Sequence, residues 1–78
     1  MNNQTFKDIR HYMDLTQVEL ADKLGITREH VAQIETNRIR VTERTQAKLM
    51  HHFKVTDDFL VYQQSKRDIE QLLKNDNK

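Results

Sequence analysis

Apolar residues recur along this chain at steps of three and four, the period of an α-helix, in runs separated by short polar turns. Phe6, Ile9 and Met13 form one stripe and predict a first helix from Gln4 to Met13, followed by Asp14 as a residue that tolerates the left-handed region. Leu20, Ala21 and Leu24 predict a second helix over Gln17–Leu24. Val31 and Ile34 predict a third over Arg28–Glu35, ended by Asn37. The loop from Arg38 to Val41 shows no internal periodicity. Thr42 then caps a fourth helix reaching about Phe53, which buries Ala47, either Leu49 or Met50, and Phe53. Val55 leads to Thr56, the cap of a fifth helix opening Asp57-Asp58-Phe59-Leu60, whose two acids suit the positive end of the helix dipole.

Beyond Leu60 two readings stand. Phe59, Tyr62, Lys66, Ile69 and Leu73 follow steps of three, four, three and four, a coiled-coil-like seam if one helix continues, with Lys66 interrupting it. Alternatively, Ser65 caps a sixth helix carrying Ile69, Leu72 and Leu73. Asn75 to Lys78 reads as a frayed end. The fold class is therefore all-α, with a compact five-helix domain over residues 1–61 and a C-terminal helical extension over 62–78.

The second and third predicted helices lie on either side of Gly25, the only glycine in the chain. It falls where the first of the pair must stop and the chain must turn through positive φ. Thr16 and Glu19 are spaced as a capping box, and Thr27 is a second good cap. Leu20, Ala21, Leu24, Ile26, Val31 and Ile34 would bury one face of each helix against the other. Arg28, Glu29, Ala32, Gln33 and Thr36 then remain on the outside of the third. A polar helix end braced against a partner helix is the geometry that enters a DNA major groove.

Composition narrows the field. Seventy-eight residues allow one small domain, so helix packing or dimerisation must supply part of its stability. Without cysteine there is no disulfide framework and no thiolate metal site. No signal peptide or long apolar run is present, which points to a cytoplasmic chain with no membrane partner. A net charge of only +1 means that a DNA binder must segregate its charge. Arg10, Arg28, Arg38, Arg40 and Arg44 lie in or near the two-helix unit, while Asp57, Asp58, Asp68, Glu70 and Asp76 lie in the last third.

The run Leu15-Thr16-Gln17-x-x-Leu20-Ala21-x-x-x-Gly25-Ile26-Thr27-x-x-x-Val31-x-x-Ile34-Glu35 resembles the helix-turn-helix of the Cro/phage-repressor (XRE-like) regulators. Ile9-Arg10 before it and Val55-Thr56-x-x-Phe59-Leu60 after it are similar to that family's first and fifth helices, so the resemblance covers about residues 5 to 61. Asp14 and Asn37 stand where the family often has glycine, and both can occupy the left-handed region. Ile39, Arg40 and Val41 occupy a loop where it often has proline. The resemblance implies that Gln17 fixes a phosphate; the N-terminus of the second helix points the same way. It also implies that Arg10 and Glu35 form an ion pair beneath the helices, as scaffold rather than DNA ligands.

Among the outward residues, Arg28 is the best base reader, since its fork can take guanine O6 and N7 together. Gln33 can pair with adenine N6 and N7. Glu29 can accept from cytosine N4 or simply be a first-turn acid favoured by the dipole. His30 faces the groove or packs at its edge. Thr16 and Thr27 at the two helix starts, and Thr36, Asn37, Arg38, Arg40 and Arg44 further on, are the candidate backbone contacts. His51 and His52 are adjacent and diverge by about 100° on a helix, unlike metal ligands at i and i+4. No nucleophile–base set and no phosphate-cradling glycine loop is apparent. Neither a metal, a cofactor nor an enzymatic activity is expected.

These observations converge on a transcriptional regulator, a repressor, that binds a palindromic double-stranded DNA operator as a homodimer. Phe59, Val61, Tyr62, Ile69, Leu72 and Leu73 are the apolar residues left once the five-helix core is filled, and form the expected dimer contact. A phage or mobile-element repressor, a restriction-modification controller and an antitoxin all fit a domain of this length. The rival from another class is an adaptor that has lost operator binding and holds a protein partner through its C-terminal helix.

Overall fold

A computed structural model describes residues 1–76. They form α1 (Asn3–Tyr12), α2 (Gln17–Leu24), α3 (Arg28–Glu35), α4 (Glu43–His52) and α5 (Asp57–Asp76), with no strand among the described residues. All five helices start in the same way. The side chain of Asn2, Thr16, Thr27, Thr42 or Thr56 accepts a hydrogen bond from the backbone N–H three residues on, at 2.7–3.2 Å. Each satisfies one of the donors that a helix start leaves unpaired. At α2 the capping box is complete, with the Glu19 carboxylate accepting from the Thr16 N–H at 2.9 Å.

The first three helices also end alike. Asp14, Gly25 and Asn37 take φ values of 56°, 67° and 62°. The N–H that follows each reaches back five residues: Leu15 to Arg10, Ile26 to Ala21 and Arg38 to Gln33, at 2.9–3.1 Å. This closure feeds unpaired carbonyls and reverses the chain within two residues. It works with aspartate and asparagine as well as glycine, as the sequence implied.

The core lies where α1, α2 and α3 meet, closed by α4 and the start of α5. Phe6, Ile9, Leu20, Val31, Ile34 and Leu49 are fully buried there, with Ala21, Leu24, Phe53 and Phe59. Two expectations are corrected. Ala47 is exposed, because the inward stripe of α4 runs through Thr45 and Leu49 and residue 47 lies about 200° round from Leu49. Phe59 is not on a dimer face: it is 1% exposed and belongs to the core. Its ring stands edge-on to Tyr12 and Phe53, with centroids 5.3 and 5.2 Å away. Tyr62 is partly buried on the same aromatic cluster, 5.2 Å from Tyr12.

α5 is one helix of 20 residues, so Ser65 caps nothing and the boundary expected after Val61 falls inside an unbroken backbone. Lys66, which interrupts the apolar seam, has a partner: its ammonium lies 3.0 Å from Asp8, a carboxylate buried at the α1–α5 contact. Gln4 and Gln63 donate to the same carboxylate at 2.9 and 3.2 Å. Burial alone would raise the Asp8 pKa, but these donors and the Lys66 charge hold it below its ordinary value. Past Lys66 the helix leaves the domain. Ile69, Leu72 and Leu73 are 58–62% exposed. Of the expected frayed end, Asn75 and Asp76 lie in the last turn of α5, while residues 77–78 lie outside the described residues.

Candidate nucleic-acid interface

α3 is anchored from beneath. Val31 and Ile34 are fully buried against α2 and α1, so its other side is forced outward. Arg28 and Glu29 are exposed at its start; His30, Ala32 and Gln33 are partly exposed. Glu29, Ala32, Gln33, Thr36 and Arg38 line one shallow concavity along this face. Of the candidate base readers, Glu29 and Gln33 line this concavity, while Arg28 and His30 flank it from either side of the first turn.

The last turn of α3 is held by the ion pair expected from Arg10 and Glu35. Arg10 Nη2 donates to Glu35 Oε1 at 2.8 Å, and Nε pairs with Oε2. Arg10 Nη1 also donates to the Leu15 carbonyl at 2.8 Å, so one guanidinium ties α1, the α1–α2 turn and α3 together. The side chains are 12% and 3% exposed. Burial would push the Glu35 carboxyl up, yet the hydrogen bonds from Arg10 and Gln17 hold it below the usual carboxylate range.

Gln17 departs in part from its expected role. Its amide donates to Glu35 Oε1 at 3.2 Å, so it is held by the ion pair rather than extended away from it. A carboxamide carries two N–H donors, and its position at the start of α2 leaves it beside the helix N-terminus that an anion would approach. Thr16 and Thr27 both accept from their own helices as caps. The Thr36 hydroxyl donates to the Ala32 carbonyl at 2.9 Å, so its proton is occupied within α3.

The loop after α3 has a pattern that the sequence reading missed. Arg38 and Arg40 are exposed, while Ile39 and Val41 are partly buried against the core. The segment alternates out, in, out, in, as an extended chain lying on a surface does. Asn3 Nδ2 donates to the Ile39 carbonyl at 2.8 Å and fixes the loop from the α1 side. This anchoring does the work that proline would do by restricting the backbone, and it presents both arginines outward beside Asn37. Arg44 is exposed on the first turn of α4. The backbone candidates other than Gln17 are therefore all exposed.

Elsewhere the site is plain. Another concavity lies between Met1–Gln4 and the loop over residues 37–43, off the α3 face. No group of three His, Cys, Asp or Glu side chains that could hold a metal ion occurs among the described residues. No helix among them is long and apolar enough to cross a membrane. Residues 7–60, which run from α1 into the first turn of α5, match the helix-turn-helix family, a family of DNA-binding domains. No curated protein and no solved structure matches the chain.

Proposed function

The chain belongs to the helix-turn-helix family of the Cro and phage-repressor type, and we propose that it is a transcriptional repressor acting as a homodimer on a palindromic operator. The observation that carries this reading is the outward side of α3, where Glu29 and Gln33 face solvent with Arg28 and His30 on either flank, while every aliphatic side chain of the helix except Ala32 is buried. Arg28 and Gln33 read bases, and Glu29 and His30 stand beside them in the groove. Gln17, Arg38, Arg40 and Arg44 set the register on the phosphates, with Thr16, Thr27, Thr36 and Asn37 contributing at the helix ends. Repression follows from occupying a promoter in the cytoplasm, and the chain is a regulator rather than an enzyme.

Two copies place their α3 helices in successive major grooves about 34 Å apart. Residues 1–61 are the DNA-binding unit, α5 stays docked on it as far as Lys66, and the helix beyond is the dimer element. Two features support that division. A ten-residue helix without neighbours is marginal in water, yet distal α5 carries Ile69, Leu72 and Leu73 exposed on it. Its Arg67 and Lys74 offset all but one of Asp68, Glu70 and Asp76, so a second copy meets little like charge. Val61 extends the apolar surface, and Tyr62 borders it from the aromatic cluster.

The test is selection of bound duplexes from a random DNA pool, followed by titration of the best with wild type and Arg28→Ala. An enriched inverted repeat, with selectivity at one G·C pair relaxed by the substitution, is the expected result. A well-folded protein that enriches nothing overturns the reading. Ile69→Asp with Leu72→Asp should give monomers with weakened operator binding, and an unchanged dimer excludes distal α5 as the contact.

A further inference from the structure

We propose that the outward face of α4 is a second phosphate-binding surface, which continues the DNA contact of the α3–α4 loop along the duplex backbone. This rests on the DNA-binding reading above and deepens it. The first observation is where the charge lies. Residues 38–54 hold five basic side chains against one acid, with His51 and His52 in addition, whereas the rest of the chain holds eight basic side chains against eleven acids. The near-neutral total thus conceals one strongly cationic segment, and that segment starts at the end of α3.

The second observation is helical phase. Thr45 and Leu49 are buried, so Arg44, Ala47 and His51 lie on the opposite side of α4, with Lys48 at one edge and Glu43, the single acid of the segment, at the other. Arg44, Ala47 and His51 are exposed and Lys48 is partly so. Neither of the two ion pairs among the described residues uses a side chain of this face. Positions 44 to 51 span about 10 Å of helix at 1.5 Å per residue. Phosphates of one strand recur about every 3.4 Å of duplex axis, so the row covers about three of them. A uniformly negative ligand complements such a row. The duplex is that ligand because the row is continuous, through Arg40, with the loop that flanks the recognition helix. Lys48 supplies charge and His51 a ring donor; Ala47 between them adds no bulk that would hold the backbone away.

The test compares wild type with Lys48→Gln and with the Lys48→Gln, His51→Gln double variant on the selected operator. Affinity is measured across a salt series, phosphate contacts by ethylation interference, and assembly state by sedimentation. Both substitutions leave the buried stripe of α4 untouched, and far-ultraviolet circular dichroism checks that the fold persists. Lys48→Gln should make the log–log salt dependence of dimer binding shallower by about 1.8, the loss of one neutralised phosphate per protomer. The double variant should lose one or two interference positions adjacent to those assigned to Arg40, while the enriched operator sequence stays the same. An unchanged salt slope and footprint overturns the proposal. So does a variant that falls to monomer, since the face would then meet a second copy rather than DNA. A wild type that selects no operator fails earlier, at the regulator reading itself.

Discussion

The α2–α3 unit and the distal half of α5 are both regular helix, but they are held for opposite reasons. α2 and α3 have a cap at each start, a left-handed closure at each end, and apolar faces buried against each other and against α1. Every requirement of those two short helices is met inside the chain. Residues 67–76 have no cap of their own, and their large apolar side chains are more than half exposed. Their helix is continued from the docked part of α5, not specified where it lies. The difference separates what the chain stabilises by itself from what it offers to something else.

The largest effect should come from breaking the self-contained side. Glu35→Ala leaves the Arg10 guanidinium, 12% exposed, without its carboxylate and also frees Gln17. Removing one member of such a buried pair costs about 3–5 kcal/mol, a large share of the stability of a domain this small. Urea unfolding should show it, whereas Ile69→Asp in dilute monomer should leave the midpoint nearly unchanged. Equal losses in the two variants would erase the distinction. The pH dependence has the same origin. Glu35 and Asp8 both have lowered folded-state pKa values, so their contribution is full above the unfolded carboxylate range and is lost as pH falls below it through the lower folded-state values. Acid unfolding should therefore begin below about pH 4.5.

Lys66 marks the border between the two halves of α5. Lys66→Ala strands the Asp8 carboxylate, 3% exposed, with only the amide donors of Gln4 and Gln63. The expected cost is about 2 kcal/mol, the order for an under-satisfied buried charge. Hydrogen exchange should report the opening of residues 57–66 rather than of α2 and α3. A double substitution of Asp8→Leu with Lys66→Met should cost less than the two single changes added together, because neither partner is then left alone.

How far these features could be read from sequence follows the same division. Caps, closures and buried stripes are local and repeat every three or four residues, which places α2 at both ends and α3 at its start, with its end at about Glu35. Arg10 with Glu35 was legible only through the family resemblance, since 25 residues separate them. Asp8 with Lys66 leaves only an indirect signal, a lysine in an otherwise apolar 3-4 seam, which points to a buried acid opposite. Phe59 was misplaced because an apolar residue in a helix start looks the same whether it meets its own core or a second chain. The Arg38–Val41 loop lacks helical periodicity, and its alternation of exposed and partly buried residues covers only four positions. The readout roles of Arg28 and Gln33 depend on a duplex, and burial can only show that these side chains face outward.

Gly25 tests whether the turn between α2 and α3 is limited by backbone or by space. A Cβ built there meets nothing within 4 Å, so steric crowding plays no part. The φ of 67° alone penalises Gly25→Ala, by about 1–2 kcal/mol. Asp14→Gly is the reciprocal change, at φ 56°, and should be neutral or raise the thermal midpoint slightly. A Gly25→Ala variant as stable as wild type would mean that the turn has relaxed out of the left-handed region.

The smallest expected effect falls on a side chain between the Arg10–Glu35 ion pair and the Asp8–Lys66 contact. His11 Nε2 lies 3.0 Å from Arg10 Nη2, and Nδ1 lies 3.2 Å from Lys66 Nζ. A neutral imidazole has one lone pair, so it accepts from only one of these cations at a time, and a protonated ring accepts from neither. Desolvation lowers the His11 pKa, and the charges of Arg10 and Lys66 lower it further. The unfolded chain therefore takes up this proton first. Stability is full above the ordinary histidine value near 6.5 and declines as pH falls below it, levelling once the folded ring is also protonated. His11 is largely exposed, so the decline should be shallow and distinct from the carboxylate loss at lower pH. His11→Gln should flatten it between pH 7 and 5.5. Carbon-bound proton shifts of the ring, followed through the same titration, decide the assignment: an inflection at or above 6.5 would mean that the two cations do not crowd this ring, and the link between the α3 ion pair and the α5 dock would be broken at that point.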